Sequence, residues 1–164
     1  MRRIISILLE NQPGALSRVV GLFSQRGYNI ETLCVAPTDD VTLSRLTITV
    51  VADDSVLEQI EKQLHKLIDV LKVACIDGDF IERELALIKV KAHGEQREEV
   101  KRTADIFRAQ IVDVNARLYT IQITGTSEKL DAFIRTLSEA TKVVEVSRSG
   151  VVGLCRGDKA MRVS

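Results

Sequence analysis

The order of apolar and polar residues in the first part of the chain predicts a strand, a helix and a two-stranded hairpin. The short apolar run from Ile4 to Leu9 predicts the strand. Apolar residues then recur at helical spacing as far as Gly27, a residue type that often ends helices. The run Ile30 to Ala36 and the alternating segment Leu46 to Val50 predict the hairpin, with a turn at residues 37–40 between them. The apolar residues of the predicted helix are Leu16, Val19, Val20 and Phe23.

A second helix and one more strand complete the first half of the chain. Asp53 and Ser55 are suited to cap this helix, and Val70 to Ile76 predicts the strand. Thr47 and Thr49 alternate with apolar residues in the preceding strand, so that strand is expected to be half buried. The predicted order of elements is βαββαβ. The helix presents an apolar stripe of Leu57, Ile60, Leu64 and Leu67 or Ile68.

The same order of predicted elements is repeated after Asp77-Gly78-Asp79, where the pattern is interrupted. A strand, a helix, a hairpin, a helix and a closing strand follow, again in the order βαββαβ. We therefore predict an α+β protein with two ferredoxin-like domains, residues 1–76 and 77–164, each with two helices on one face of an antiparallel sheet. The segments that carry this second unit are Leu87–Ala92, Val100–Phe107, Ile111–Val114, Tyr119–Thr124, Leu130–Leu137 and Lys142–Val146.

The second strand of each half is expected at a sheet edge, because right-handed crossovers place the second and fourth strands outermost. The run Ile30 to Ala36 has a single charge and no proline, which is unsuited to an edge left open to water. A unit of this size buries only about 60% of its unfolded surface, so it gains from covering that edge. We expect a homodimer in which two chains pair along this strand.

The loop before the first helix has the composition of an anion site. The first amides of a helix lack internal acceptors and lie at the positive end of its dipole. Asn11 is expected to cap the helix, Pro13 to start its first turn, and Gly14 to let a ligand approach the backbone. In the dimer, Asn29 of the second chain would face this loop, so two carboxamides would bracket a free amino acid. The alternative is an ordinary helix start and end with no ligand.

Composition excludes several classes of function. Lysine and arginine total 23 and aspartate and glutamate total 23, so no net field attracts nucleic acid or an anionic membrane. No apolar run approaches the roughly 20 residues that span a bilayer, and the start of the chain does not resemble a signal peptide, so a cytoplasmic location is expected. Cys34, Cys75 and Cys155 lack metal-ligand spacing and are expected as reduced thiols.

Other uses of this fold fit the sequence less well. RNA-binding modules stack bases on aromatic residues of the sheet, but aromatic residues are only 4% of this chain. Small hydrolases need grouped catalytic residues, and neither paired carboxylates nor a Ser/His/Asp grouping is found. An amino-acid sensor that acts alone or on some other enzyme stays open. The tail from Ser147 to Gly157 is expected to pack on the second domain or on a partner.

Several long segments resemble the small, regulatory subunit of acetohydroxyacid synthase, also called acetolactate synthase. The resemblance is carried by LLENQPGALSRVVGLFSQRGYNIETLCVAPTDD and LSRLTI in the first half, with Asp105 to Val114, Leu130 to Ile134 and VVEVSRSGVVGLCRGDKA in the second. It covers essentially the whole chain. In that family the first domain is an ACT domain, an amino-acid sensor with the βαββαβ order.

The resemblance implies a non-catalytic chain with no cofactor of its own. Its partner would be the large catalytic subunit, which carries thiamine diphosphate, FAD and magnesium and makes the first common intermediate of branched-chain amino acids. The small subunit would raise that activity and confer feedback inhibition by valine. The implied valine site consists of Asn11, Gly14, Ala15 and Leu16 of one chain with Asn29 and Ile30 of its neighbour, and with Val35 and Ala36 close by.

Overall fold

The computed structural model describes residues 1–161 of the 164-residue chain, in two compact units. The first unit contains Met1–Ile81 together with residues 151–161, and the second contains Glu82–Gly150. From the sequence we expect a second domain of residues 77–164, with the tail packed on that domain or on a partner. In the structure the tail from Val151 belongs to the first unit instead, because Val151 is fully buried against Ile4 and Ile76.

The first unit has the predicted βαββαβ order. Its antiparallel sheet has the strand order β2-β3-β1-β4, which confirms that the second and fourth strands lie at the edges. Asp53 caps α2 as predicted, since its carboxylate accepts a 2.9 Å hydrogen bond from the Val56 amide. The elements are β1 (Arg2–Glu10), α1 (Ala15–Gln25), β2 (Ile30–Pro37), β3 (Leu43–Val51), α2 (Asp54–Leu64) and β4 (Val70–Ile76).

Both helices of the first unit pack on one face of this sheet. Alternate residues of β1 and β3, among them Ile7 and Ile48, meet Phe23 of α1 and Ile60 of α2 in a core from which water is excluded. This is the arrangement that the period-two and helical patterns predict.

The other face of the first sheet is also buried at its centre, which the sequence does not predict. Ser6, Thr47 and Thr49 are each almost inaccessible to solvent. The hydroxyl oxygens of Thr49 and Thr32 lie 2.6 Å apart on adjacent strands, so they form a hydrogen bond. Val151 from the tail packs on the same face, against Ile4. The expectation that β3 is half buried was therefore wrong: its threonines are buried along with its apolar residues.

The second unit repeats the fold with the sheet order β6-β7-β5-β8. Its first strand is longer than expected, since it begins at Phe80 rather than Leu87. Thr126 caps α4 by accepting a 3.2 Å hydrogen bond from the Lys129 amide. The elements of the second unit are β5 (Phe80–Lys91), α3 (Gln96–Ile106), β6 (Gln110–Val114), β7 (Leu118–Gly125), α4 (Ser127–Ala140) and β8 (Val143–Arg148). The tail that belongs to the first unit contains a short strand, β9 (Val152–Cys155).

Candidate functional site

The segment before α1 forms a tight turn rather than the capped helix start that the sequence suggests. The Ala15 amide donates to the Gln12 carbonyl at 3.1 Å, and Gly14 has φ 82° and ψ −4°. Proline followed by glycine with these angles is the pattern of a type II β-turn. The helix begins only at Ala15, so the expected place of Pro13 in its first turn was wrong.

Asn11 does not cap the helix, contrary to the prediction. Its Nδ2 donates to the Val41 carbonyl at 3.1 Å, and its backbone amide donates to the Thr42 carbonyl at 2.7 Å. Asn11 therefore ties the loop to the turn between β2 and β3. That turn is itself ordered by Asp40, which accepts hydrogen bonds from the hydroxyl and the amide of Thr42, and these bonds lower the pKa of the Asp40 carboxyl.

The start of α1 presents backbone donors at the position where an anion was expected. The first helical hydrogen bond runs from the Arg18 amide to the Gly14 carbonyl at 3.0 Å. The amides of Leu16 and Ser17 precede it in the first turn, so they have no acceptor within the helix. Gly14 has no side chain that would stand between these groups and a ligand. The positive end of the helix dipole reinforces the preference for a carboxylate here.

A cavity of about 480 Å³ opens beside this helix start. Six of the eight residues predicted for the site line it, and Asn29 and Ile30 do not. The apolar part of the lining comes from the helix, from β1 and from the end of β2. The six predicted residues that meet here are Asn11, Gly14, Ala15, Leu16, Val35 and Ala36.

The two remaining residues lie at the opposite end of β2. Asn29 is exposed just before the strand, and Ile30 is half buried at its first position. From Ile30 to Ala36 a strand advances by about 3.3 Å per residue, or about 20 Å in all. A single chain therefore does not bring Asn29 to the cavity that contains Ala36.

Sequence reasoning missed two acidic residues at this site. Glu10 lines the cavity at the end of β1 and is its only charged lining residue among those that the structure describes. Asp69 lies behind the loop, where its backbone carbonyl accepts a 2.9 Å hydrogen bond from the Glu10 amide. Glu10 could have been found from the sequence, because it directly follows an apolar run and precedes the predicted binding loop. A carboxylate at that place can bind the ammonium group of an amino acid. The role of Asp69 depends on the tertiary fold, so no local pattern marks it.

The second unit contains an ion pair between the buried carboxylate of Glu84 and the partly exposed guanidinium of Arg148. Arg148 donates to Glu84 from Nε at 3.1 Å and from Nη2 at 2.8 Å, and its Nη1 bonds to Asp131 at 2.6 Å. Ser127 and the Gly150 amide also donate to Glu84. This network joins the end of β8 to β5 and α4.

Other kinds of site are not found in residues 1–161. No group of three or more histidine, cysteine, aspartate or glutamate side chains there is placed to hold a metal ion. Within the same residues, no helix is both long enough and apolar enough to cross a bilayer. The three cysteines are free thiols, each partly buried.

Two family models match the chain in consecutive segments. Residues 5–72 match the model described as AHAS small subunit-like ACT domain, and residues 83–157 match the model described as small subunit of acetolactate synthase. The first covers the unit that contains the cavity.

Individual relatives agree with these models. The chain is 66% identical to the acetolactate synthase isozyme 3 small subunit of Salmonella typhimurium, over 99% of this chain and all of the relative. It is 65% identical to the isozyme 3 small subunit of Escherichia coli with the same coverage. The crystal structure of the acetolactate synthase small subunit from Thermotoga maritima is 40% identical and superposes with a TM-score of 0.89, covering 97% of this chain and 99% of that one. The chain belongs to the family of acetolactate synthase small subunits.

Proposed function

We propose that this chain activates the catalytic subunit of acetolactate synthase and makes it sensitive to feedback inhibition by valine. The observation that carries the proposal is the cavity at the start of α1, where uncapped helix amides, a carboxylate and an apolar wall lie together. A free amino acid has the three matching parts: an acid group, an ammonium group and a short side chain.

The binding mode follows from the chemistry of each wall. The valine carboxylate accepts hydrogen bonds from the amides of Leu16 and Ser17 at the positive end of the helix. The ammonium group lies towards Glu10 and towards the Oδ1 of Asn11, whose Nδ2 is already engaged by the Val41 carbonyl. The isopropyl group packs on Val35 and Ala36.

Completion of the site requires a second copy of the chain. β2 is an edge strand, and within residues 1–161 no strand pairs with its outer side, so an antiparallel copy would extend the sheet. A two-fold pairing centred on Leu33 would place residue 29 of one chain beside residue 37 of the other. Asn29 and Ile30 of the neighbouring chain would then border the cavity, which the six other predicted site residues of the first chain already line. Light scattering that shows a stable folded monomer at micromolar concentration would contradict this pairing.

Selectivity among branched-chain amino acids is expected to be partial. One methylene group in an apolar pocket changes binding by about 1 to 3 kcal/mol. Leucine and isoleucine should therefore bind more weakly than valine rather than not at all. Inhibition also requires that valine bind the inhibited arrangement of the complex more tightly than the active one, since equal affinity shifts no equilibrium.

In this proposal the chain supplies regulation and the catalytic subunit supplies chemistry. The catalytic subunit is the partner that the family name implies. Residues of this chain take part in no step of the reaction, and the catalytic subunit binds the cofactors that the reaction needs.

The direct experiment mixes this chain with its catalytic subunit and measures acetolactate formation as valine is added. The proposal predicts higher activity in the mixture and loss of that activity as valine rises. Asn11→Ala and Asn29→Ala should each weaken valine binding by about 1.5 to 3 kcal/mol while activation persists. Gly14→Asp should abolish inhibition, because it places a carboxylate where the ligand's own lies. Asp39→Ala, a change in the exposed hairpin turn, is the control.

If the mixture gains no activity, the chain regulates some other enzyme, and co-purification would identify it. If activity is gained but all three site variants retain wild-type inhibition, the valine site has been misplaced.

A further inference from the structure

A second cavity of the first unit lies between the helix-free face of the sheet and the C-terminal tail. Its volume is about 210 Å³, and it does not share residues with the cavity at α1. The tail reaches it through a hydrogen bond of 3.0 Å from Nη2 of Arg45 to the carbonyl of Gly153. The lining residues are Arg45, Lys72, Val73, Ala74, Ile76, Leu154, Cys155, Lys159, Ala160 and Met161.

Three cations line this cavity, and no carboxylate does so among the described residues. Arg45 on β3 and Lys72 on β4 are both cross-strand neighbours of Leu8 on the central strand β1, so they flank one position of the sheet face. Lys159 approaches from the tail. Within residues 1–161 none of the three takes part in a salt bridge. Three uncompensated positive charges around one concave space favour an anion.

Arg45 is the least exposed of the three cations, since Lys72 and Lys159 are exposed. It is half buried on a sheet face and has one carbonyl as its hydrogen-bond acceptor, although a guanidinium carries five donor hydrogens. Burial lowers the pKa of Arg45, and the nearby Cys155 acts in the opposite direction. An oxyanion beside the guanidinium would take up its remaining donors in the planar, two-point geometry that arginine prefers.

The sheet face beside the cavity also contains a buried hydroxyl group. Ser6 is the cross-strand neighbour of Ala74, which lines the cavity. Ser6 is fully buried, and its Oγ has no hydrogen-bond partner among the described residues. Ser6 does not line the cavity itself, so the binding site is argued from the three cations and the apolar lining.

We propose that this cavity binds a small organic anion, with its oxyanion group at Arg45 and a short aliphatic part against the apolar lining. The cavity of about 210 Å³ is less than half the size of the cavity of about 480 Å³ at α1, which favours a small anion. Most of the lining is aliphatic, which favours a short-chain carboxylate over inorganic phosphate. Because the cations come from both the sheet and the tail, the bound anion would also hold the tail on the first unit.

The test is a titration of the full-length, ¹⁵N-labelled protein with 3-methylbutanoate and, separately, with inorganic phosphate, followed by amide shifts in NMR spectra. The proposal predicts saturable shifts at Lys72–Ile76 and Leu154–Cys155, with 3-methylbutanoate binding more tightly than phosphate. Shifts confined to Gly14–Ser17 would show that the carboxylate uses only the cavity at α1 and would overturn the proposal. Tighter binding of phosphate would overturn the assignment of an aliphatic carboxylate. Neither outcome bears on valine sensitivity.

Two variants and a control distinguish a built site from general charge attraction. Arg45→Gln should weaken binding at least about tenfold, the effect of losing one charged hydrogen-bonding partner. The double variant Lys72→Gln with Lys159→Gln changes only exposed side chains and should weaken binding without loss of folding, which thermal unfolding would check. Lys66→Gln, an exposed change away from the cavity, should have no effect. Equal binding in all four proteins would refute the site.

Discussion

The side chain of Arg18 connects the turn before α1 to Asp69, at the start of β4. Nε of Arg18 lies 2.7 Å from Oδ2 of Asp69, and Nη2 lies 3.3 Å from the carbonyl of Pro13. The Asp69 side chain is only 8% exposed, and its backbone carbonyl accepts from the Glu10 amide. One buried aspartate thus fixes both sides of the loop at the proposed valine site.

Replacement of Asp69 with alanine should loosen this loop. Arg18 is half exposed and can be solvated when its partner is lost, so we expect the free energy of unfolding to fall by about 1 to 3 kcal/mol. Valine affinity should fall as well, because the helix amides are no longer held in place. Chemical denaturation and calorimetric titration with valine measure the two effects. Asp39→Ala, in the exposed hairpin turn, is the matched control and should change neither quantity.

Gly14→Ala should destabilise the first unit through backbone strain. A residue other than glycine at φ 82° costs about 1 to 2 kcal/mol, and the added Cβ would lie 2.9 Å from Nη1 of Arg18. Gly21→Ala provides the control, since nothing lies within 4 Å of its Cβ. Gly21 is inside α1, where alanine is favoured by up to about 1 kcal/mol, so this variant should be more stable. Equal unfolding midpoints for the two variants would contradict the turn geometry.

Two neighbouring valines test whether the C-terminal tail stabilises the first unit. Val151 is fully buried against Ile4 and Ile76, whereas Val152 is 50% exposed. Val151→Ala should lower the free energy of unfolding by about 1.5 to 2.5 kcal/mol, from lost apolar burial and the cavity left behind. Val152→Ala should stay within about 0.5 kcal/mol of the parent protein. Equal losses in the two variants would mean that the tail is not docked as described.

Glu84 should make the stability of the second unit depend on acid pH. Burial alone would raise the pKa of Glu84, but the hydrogen bonds and charge of Arg148, with bonds from Ser127 and Gly150, outweigh it and hold the pKa below its ordinary value. A carboxyl whose pKa is lowered by folding stabilises the folded state above its unfolded pKa, which is about 4.3. That contribution is lost as the pH falls through the folded pKa.

Glu84→Gln should remove this contribution at neutral pH. We expect a loss of about 1.5 to 3 kcal/mol, because Arg148 loses a charged acceptor but is partly exposed and keeps its bond to Asp131. The variant's stability should also change less between about pH 5 and pH 2 than that of the parent. Glu139→Gln, an exposed change on α4, serves as the control for both measurements. An unchanged acid profile in Glu84→Gln would show that other carboxylates determine it.

The sequence predicts the repeated βαββαβ order and its edge strands because apolar periodicity and turn residues are local signals. Ile7 lies in the core as part of the apolar run of β1, and Ile48 lies there as the alternation of β3 predicts. The helix start was misjudged because Asn11, Pro13 and Gly14 suit both a cap and a turn, and only Gly14's positive φ distinguishes the two. The docking of Val151 on Ile4 was not predictable, since it joins the two ends of the described chain. The buried threonines of β3 were not predictable either, because their alternation with apolar residues is the usual pattern of a half-buried strand.

In the candidate site, too, the residues that are close in sequence were predictable and those brought together by the tertiary fold were not. Residues 11, 14, 15 and 16 are close in sequence, so a local pattern could group them, and Val35 and Ala36 reach the same cavity across the sheet. Asp69 was not found, because its contact with Arg18 joins residues 51 positions apart and leaves no local pattern.

The measurement that tests the proposed valine site most directly is a crystal structure of the protein with L-valine. The proposed function predicts a chain pair joined along β2, with the valine carboxylate on the amides of Leu16 and Ser17 and Asn29 of the neighbouring chain beside the ligand. Valine bound elsewhere, or an empty cavity at a concentration that inhibits the complex, would contradict it.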